Sequence, residues 1–447
     1  RPPVPAAPRA PRPAATAPTQ NGTVMTALVS HVLVIHRWRD HYARYADYLD
    51  HRHHQVTYVT TALGLESVPV SAAGTVTVSA TDDIGEVRQA VDTLTVRFGR
   101  PQRVIALNEG DLEVAAQLRA ELGCPGQGTT ELARFRDKLT MVQTVALAGL
   151  PTPAFADAPD AAAVKEFAQT HGWPVVVKPR RGTASRGVLR LDSPEDLAAL
   201  ESAEPEDRIV QTFCADAVYH VDGLWTGREL GPWRASRYLN TCAEFSTGTT
   251  PLGSVEEDDP ELLRHIGGFT TAVAGALGGR RPWVFHLEVF VGADEDGGTR
   301  LTFLEAGWRV GGAEIPFVWR EVHGLDLMSA AVAIQLGETP ELAEPAATRR
   351  IGGWLLVPAP LPSPCRVVGV RTPATPPPSL YARVVPQTGY VLPRIGGYEH
   401  VGARFRFRGG TTAEVADSIL ATAAEVSLDC VPAPPPDRRA VACGLDR

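Results

Sequence analysis

Lysine is almost missing from this sequence. Of its 43 basic residues only three are lysine, Lys138, Lys165 and Lys178. No Gly-Lys pair occurs, so there is no Walker A phosphate loop, and no Gly-x-Gly-x-x-Gly follows the first apolar strand. No apolar run approaches the roughly 20 residues that span a bilayer. A basic surplus is absent too: the formal charge is −8 and the pI about 5.9, which argues against a nucleic-acid-coating role. The six cysteines (Cys124, Cys214, Cys242, Cys365, Cys430 and Cys443) form no Cys-x-x-Cys pair. In a chain this long that pattern indicates reduced thiols and a cytoplasmic setting.

What is present is the composition of a soluble globular protein, 44% hydrophobic and 21% charged over 447 residues, enough for two to four packed domains. The opening 1–24 is rich in proline and alanine and reads as a disordered tail. The excess of Arg, Ala, Pro and Gly fits a GC-rich genome, in which arginine codons displace lysine codons and each retained lysine draws attention to its chemistry.

Strands and helices alternate over 25–128: "ALVSHVLVIHR", "QVTYVT", "TVTVSA" and "RVIALN" read as strands, with helices at "WRDHYARYADYLDHR", "IGEVRQAVDTLTVRFG" and "LEVAAQLRAELG". This order predicts an α/β fold with a parallel sheet and helices on both faces. Over 129–337 a long helix runs through "ELARFRDKLTMVQTVALAGL". A second helix, "DAAAVKEFAQTHG", precedes the strand "WPVVVKP", a glycine turn, "GVLRL", and a helix started by a Ser193/Asp196 capping box with Pro194 in its first turn. "RIVQTFC" and "AVYHVDGLW" are strands, "SRYLNTCAEFSTGTTPLGS" reads as a loop, and two further strands, "WVFHLEVFVG" and "TRLTFLEAG", follow a helix. Segment 338–447 reads as a small α+β unit with a Pro-rich end. The five histidines of 36–54 (His36, His41, His51, His53 and His54) look metal-like, but His51, His53 and His54 are too close in sequence to converge from one helix face and no acidic cluster accompanies them, so the group reads as polar helix surface and turn.

Two patterns carry chemistry. Lys178 ends a β-branched strand, and "PRRGTASRG" follows it, a loop in which Gly182, Thr183, Ser185 and Gly187 can wrap phosphate oxygens with backbone N–H and hydroxyl donors. A plain hairpin with a flexible tip has the same composition. Roughly 110 residues later, Glu288 and Glu305 project from adjacent strands, an arrangement suited to Mg²⁺, which prefers hard oxygen ligands and nucleotide phosphates. Taken singly, each acid is an ordinary strand-edge residue. Arg309 lies four residues beyond Glu305, just before Gly311 and Gly312.

In this order and spacing, the segment about 129–337 resembles an ATP-grasp domain of the carboxylate–amine ligase kind, similar to L-amino-acid and peptide ligases. The motifs are "FRDKLTM", "WPVVVKPRRGTASRGV", "IVQTFCADAVYHVDGL", "FHLEVF" and "LEAGWRVGG". The α/β segment before it then corresponds to a pre-ATP-grasp domain. The resemblance implies ATP and Mg²⁺ (or Mn²⁺) as cofactors, with Lys138 and Lys178 on the phosphates and Lys165 on a surface. Arg237 falls where related ligases carry another cationic phosphate contact. The hinge Gln211, Thr212, Phe213 and Cys214 would read adenine through the Thr212 carbonyl and the Cys214 N–H. Where the family often holds the ribose with glutamate this chain has Val218, leaving Asp216 or His220 as substitutes. Where it expects a metal-ligand asparagine the chain has Gly307.

The implied activity is amide-bond formation between a carboxylate and an amine through an acyl phosphate, releasing ADP and phosphate, plausible in specialised-metabolite (antibiotic) biosynthesis. Arg309 with the Gly311 and Gly312 amides would steady the tetrahedral anion, Glu109 would contact substrate, and the glycine loop and segment 239–254 would exclude water. Loading of an amino acid onto a carrier protein, and a nucleotide-binding partner protein whose catalysis has decayed, are the alternatives. A homodimer is the ordinary expectation for the family; neither nucleic acid nor membrane is expected as a partner.

Overall fold

The computed structural model describes residues 30–38, 42–183, 186–201, 206–246, 248, 250–340, 350–361, 364–392 and 401–433. The expected tail 1–24, His41, Ser185, Cys443 and the Pro-rich end lie outside them.

The first sheet has four parallel strands in the order Gly74–Val78, Gln55–Thr61, His31–His36, Arg103–Ala106. Val32, Leu33, Val34 and Ile35 are all buried in succession, as expected of a strand covered on both faces. The helices Ile84–Phe98 and Leu112–Leu122 pack on it; Asp83 starts the first by accepting from the N–H groups of Gly85 and Glu86.

An eight-stranded antiparallel sheet forms the centre, in the order Thr299–Gly307, Trp283–Ala293, Ala217–Trp225, Leu230–Tyr238, Leu252–Glu256, Ile351–Val357, Ala403–Gly409, Leu380–Val384. Its last three strands come from the segment after residue 338, so that segment continues the central sheet. The helix Pro260–Gly278 covers one face. The helices Ile315–His323 and Leu327–Leu336 fill the space between the other face and the parallel sheet, where Tyr58, Ile105, Leu224, Val284, Trp319 and Trp354 share one core. A second antiparallel sheet, Phe155–Asp157, Arg208–Thr212, Val175–Pro179 and Leu189–Leu191, stands apart over its own small core with the helix Ala161–His171. A three-stranded sheet, Val391–Leu392, Cys365–Arg371 and Ser427–Pro432, completes the chain. Among the described residues no helix is long and apolar enough to cross a membrane.

Three local expectations are corrected. The helix expected after the first strand is, among the described residues, a single turn, Tyr45–Tyr48; Tyr42, Tyr45 and Leu49 are buried all the same. The long helix from Thr129 breaks at Asp137, which is extended (φ −100°, ψ 107°) and caps a new helix Lys138–Leu147 by accepting from Leu139 and Thr140. The loop expected from Ser236 contains the end of one strand, a short helix Cys242–Ser246 and the strand Leu252–Glu256. Of the histidines read as surface, His36 lies in a buried strand and meets Ser67 Oγ at 2.6 Å. His51, His53 and His54 each meet a different partner, Tyr58, Asp50 and Ser30.

Candidate active site

A cavity of about 510 Å³ opens between the small antiparallel sheet and one face of the central sheet. The small sheet contributes Val176, Lys178, Arg190, Gln211 and Thr212; the central one contributes Val218, Glu288, Phe290, Leu304 and Glu305. Lys138, Gly182, Thr183, Phe213, Cys214 and Asp216 also line it. Residues spread over 168 positions of sequence, from Lys138 to Glu305, thus meet in one space.

The Asp137 break brings Lys138 to the cavity. Arg180 grips both Asp137 oxygens (3.1 and 2.7 Å), the Lys138 N–H donates to the Arg180 carbonyl, and Lys138 Nζ donates to the Gly182 carbonyl at 3.2 Å. The glycine loop is therefore laced to the start of the helix that carries Lys138. Gly187, with φ +71°, turns the chain back beside Pro179, where a Cβ would come within 2.8 Å of the proline ring.

Lys138 Nζ lies 3.7 Å from Glu305. Lys178 is 5% exposed, and burial lowers its ammonium to about 8, with Glu305 and Glu288 opposing and Lys138 adding to the fall. An ammonium desolvated in this way gains strongly from an arriving polyanion. Glu288 and Glu305 are direct cross-strand partners. Burial would raise the Glu288 carboxyl, but His286 and Tyr238 outweigh it and hold it below its ordinary value. Two neighbouring carboxylates with hard oxygen donors, beside two ammonium groups suited to phosphate, fit a divalent cation carried by a nucleotide.

Gly307 adds no ligand side chain. A Cβ there would meet the Arg309 side chain at 3.4 Å (Cγ and Nε), so the missing side chain leaves room for the arginine stem. Arg309 Nε donates to Glu109 Oε2 at 2.9 Å, and Arg136, which the sequence reading passed over, pairs with Glu109 Oε1. Burial would raise the Glu109 carboxyl, yet the two arginines hold it down at about 2. Glu109 thus ties the parallel sheet to Arg309 and to the helix ahead of Lys138.

Several expected residues stand elsewhere. Arg237 is not in the cavity lining. Its neighbour Tyr238 donates to Glu288 Oε1 at 3.1 Å, so strand alternation turns Arg237 to the opposite face, beside its cross-strand partner Tyr219. His220 is withdrawn as a ribose contact: it is 1% exposed, with Nδ1 2.6 Å from Asp222 and Nε2 2.7 Å from Ser254. Asp216 lines the cavity but is gripped by Arg300 at 2.9 and 3.0 Å. Gly311 and Gly312 lie outside the lining, Gly311 packed on Asp222 and His286. Arg186 and Arg190 line the cavity unforeseen, and Arg190 stacks on the hinge Phe213 at 4.1 Å; their place beside the glycine loop was the available signal.

A small antiparallel sheet facing a large one across a cavity of lysines and paired carboxylates, behind a parallel α/β layer, is the arrangement of the ATP-grasp fold. No protein-family model matches the chain. It is 27% identical over 238 residues to the carbamoyl phosphate synthase large chain of Micrococcus luteus, covering 51% of this chain and 20% of that one. It is 30% identical over 151 residues to the D-alanine–D-alanine ligase of Streptomyces griseus subsp. griseus, covering 31% of this chain and 34% of that one. The matches thus span a fifth and about a third of these two curated relatives. The crystal structure of L-amino acid ligase from Bacillus licheniformis superposes with a TM-score of 0.67 over 90% of this chain and 98% of that one, at 17% identity.

Proposed function

We propose that this protein is an ATP-dependent ligase that joins a carboxylate, an amino acid foremost, to an amine. The observation that carries the reading is the meeting of Lys138, Lys178 and the glycine loop with the Glu288/Glu305 pair in one cavity. Lys138 and Lys178 bind the triphosphate and offset its charge, and the apolar slot of Val218, Phe290 and Leu304 beside the hinge takes the base. Glu288 and Glu305 would hold Mg²⁺, which supplies charge neutralisation across the phosphates.

A free carboxylate resists acylation because its carbon bears an anionic, resonance-stabilised group. Transfer of the γ-phosphoryl to a carboxylate oxygen breaks the β–γ bridging bond, releases ADP and leaves an acyl phosphate. Attack of the amine nitrogen on the acyl carbon then expels phosphate, loses a proton and forms the amide. Arg309 lies outside the cavity lining and is held by Glu109; from there it would offset at longer range the negative charge that develops on that carbon's oxygen. Thr183 and the glycine loop on one side, and Thr241, Cys242 and Glu244 on the other, line the mouth and limit water. The Arg-, Ala- and Pro-rich composition fits a specialised-metabolite setting for this reaction.

Phosphate release from Mg-ATP, measured against amino acids singly and in pairs with products weighed by mass spectrometry, tests the proposal. A ligase gives ADP and phosphate with particular pairs and a product equal to their summed mass less water. ATP that binds without turnover against amino acids, peptides and carrier-bound acceptors would instead favour a non-catalytic nucleotide-binding partner, the reading to which Val218 and Gly307 lend support.

A further inference from the structure

A cluster of buried titratable side chains, outside the cavity lining, lies directly behind Glu288. Strands Ala217–Trp225 and Trp283–Ala293 pair with His286 opposite Asp222 and Glu288 opposite His220, so all four side chains share one face of the sheet. His220, Asp222 and His286 have ligand-type atoms within 4.8 Å of one another, which by itself resembles a metal cluster. Their bonding argues otherwise. Asp222 Oδ2 meets His220 Nδ1 at 2.6 Å, Asp222 Oδ1 meets His286 Nδ1 at 2.9 Å, and His220 Nε2 meets Ser254 Oγ at 2.7 Å. Both carboxylate oxygens and three of the four ring nitrogens are used. The adjoining void, roofed by Ile315, Trp319 and Trp354, measures about 10 Å³, room for about one water. The cluster's polar atoms are thus mostly satisfied by one another, and it meets the cavity at Glu288. His286 Nε2 stands 3.7 Å from Glu288 Oε1, the same oxygen that accepts from Tyr238 at 3.1 Å.

We propose that Tyr238, and Asp222 acting through His286, are positioning residues that fix Glu288 Oε1 and so present the other oxygen of Glu288 to a divalent cation. Asp222 sets the ring: by holding Nδ1 it fixes the rotamer that aims Nε2 at Glu288, the way a carboxylate–histidine pair orients a metal ligand from behind. Gly311 makes the arrangement possible, because a Cβ there would collide with Asp222 Oδ1, His286 Nδ1 and Ile315. The inference rests on the proposed role of Glu288 as a metal ligand.

The test is Mn²⁺ titrated calorimetrically into protein saturated with ADP, alongside ADP titrated in EDTA and thermal unfolding of each variant. Asp222→Asn, which keeps the shape and removes the charge, weakens Mn²⁺ binding by about 10- to 100-fold. Tyr238→Phe, the milder change, weakens it by about fivefold; both leave ADP affinity in EDTA unchanged. In a Glu288→Gln background, Asp222→Asn has no further effect on Mn²⁺, because its route to the metal is gone. Folded variants that bind Mn²⁺ like the parent overturn the inference, as does an equal loss from Asp222→Asn with or without Glu288. If Asp222→Asn does not fold, Tyr238→Phe decides. Failure of the parent protein to bind ADP overturns the ligase reading and takes the inference with it; intact ADP binding with unaltered Mn²⁺ affinity overturns the inference alone.

Discussion

Replacing Glu109 with glutamine removes the charge between Arg136 and Arg309 while keeping the side chain's size. The magnitude follows from the carboxyl itself, held at about 2 against an ordinary 4.5. At about 1.36 kcal/mol per pH unit, that displacement corresponds to about 3 kcal/mol of folding stability. The glutamate keeps 18% of its side-chain surface exposed, which favours the lower end of the about 3–5 kcal/mol typical of a broken buried ion pair. The sign is set by the depressed value: the contribution is complete above the unfolded carboxyl's range and is lost as pH falls towards 2. Glu109→Gln should therefore lie about 3 kcal/mol below the parent at pH 7 and only about 1 kcal/mol below it at pH 3. Urea unfolding of both proteins at the two pH values measures this directly. A deficit under about 1 kcal/mol at pH 7, or one that does not shrink in acid, refutes the account of Glu109 as an anion clamped by two guanidinium groups.

Lys178→Ala should weaken ATP binding by about 10- to 100-fold, the worth of a charge-assisted contact to phosphate, measured by calorimetry; unchanged affinity removes Lys178 from the site. Arg237→Ala, on the far face of the sheet, should leave ATP affinity within about twofold, and a larger loss would show that strand alternation has been misjudged. Gly311→Ala should destabilise the fold by about 1–3 kcal/mol through overpacking on Asp222 and Ile315, read as a lowered urea midpoint. Asp137→Ala removes a helix cap and the Arg180 pairing together; it should cost about 1–2 kcal/mol and loosen the glycine loop, visible as faster amide hydrogen exchange at Gly182 and Thr183.

By itself the sequence determined the elements whose signals are local. The parallel first sheet follows from short strands alternating with helices, and the helix at Ala161–His171 follows from its apolar spacing. Lys178 with its glycine turn, and Glu288 with Glu305, were legible because each group stands on a strong local pattern. Tertiary structure alone decided the rest. Arg136, Glu109 and Arg309 become a cluster only when three separate segments converge, and no spacing encodes that. Arg237 and Tyr238 are adjacent in sequence, yet only the strand's orientation in the sheet sends one to Glu288 and the other away. His220 looked like a ribose contact from its place in a motif; the register that pairs it with Glu288 also puts Asp222 and Ser254 within reach of its ring, and a buried imidazole takes the partners it can reach.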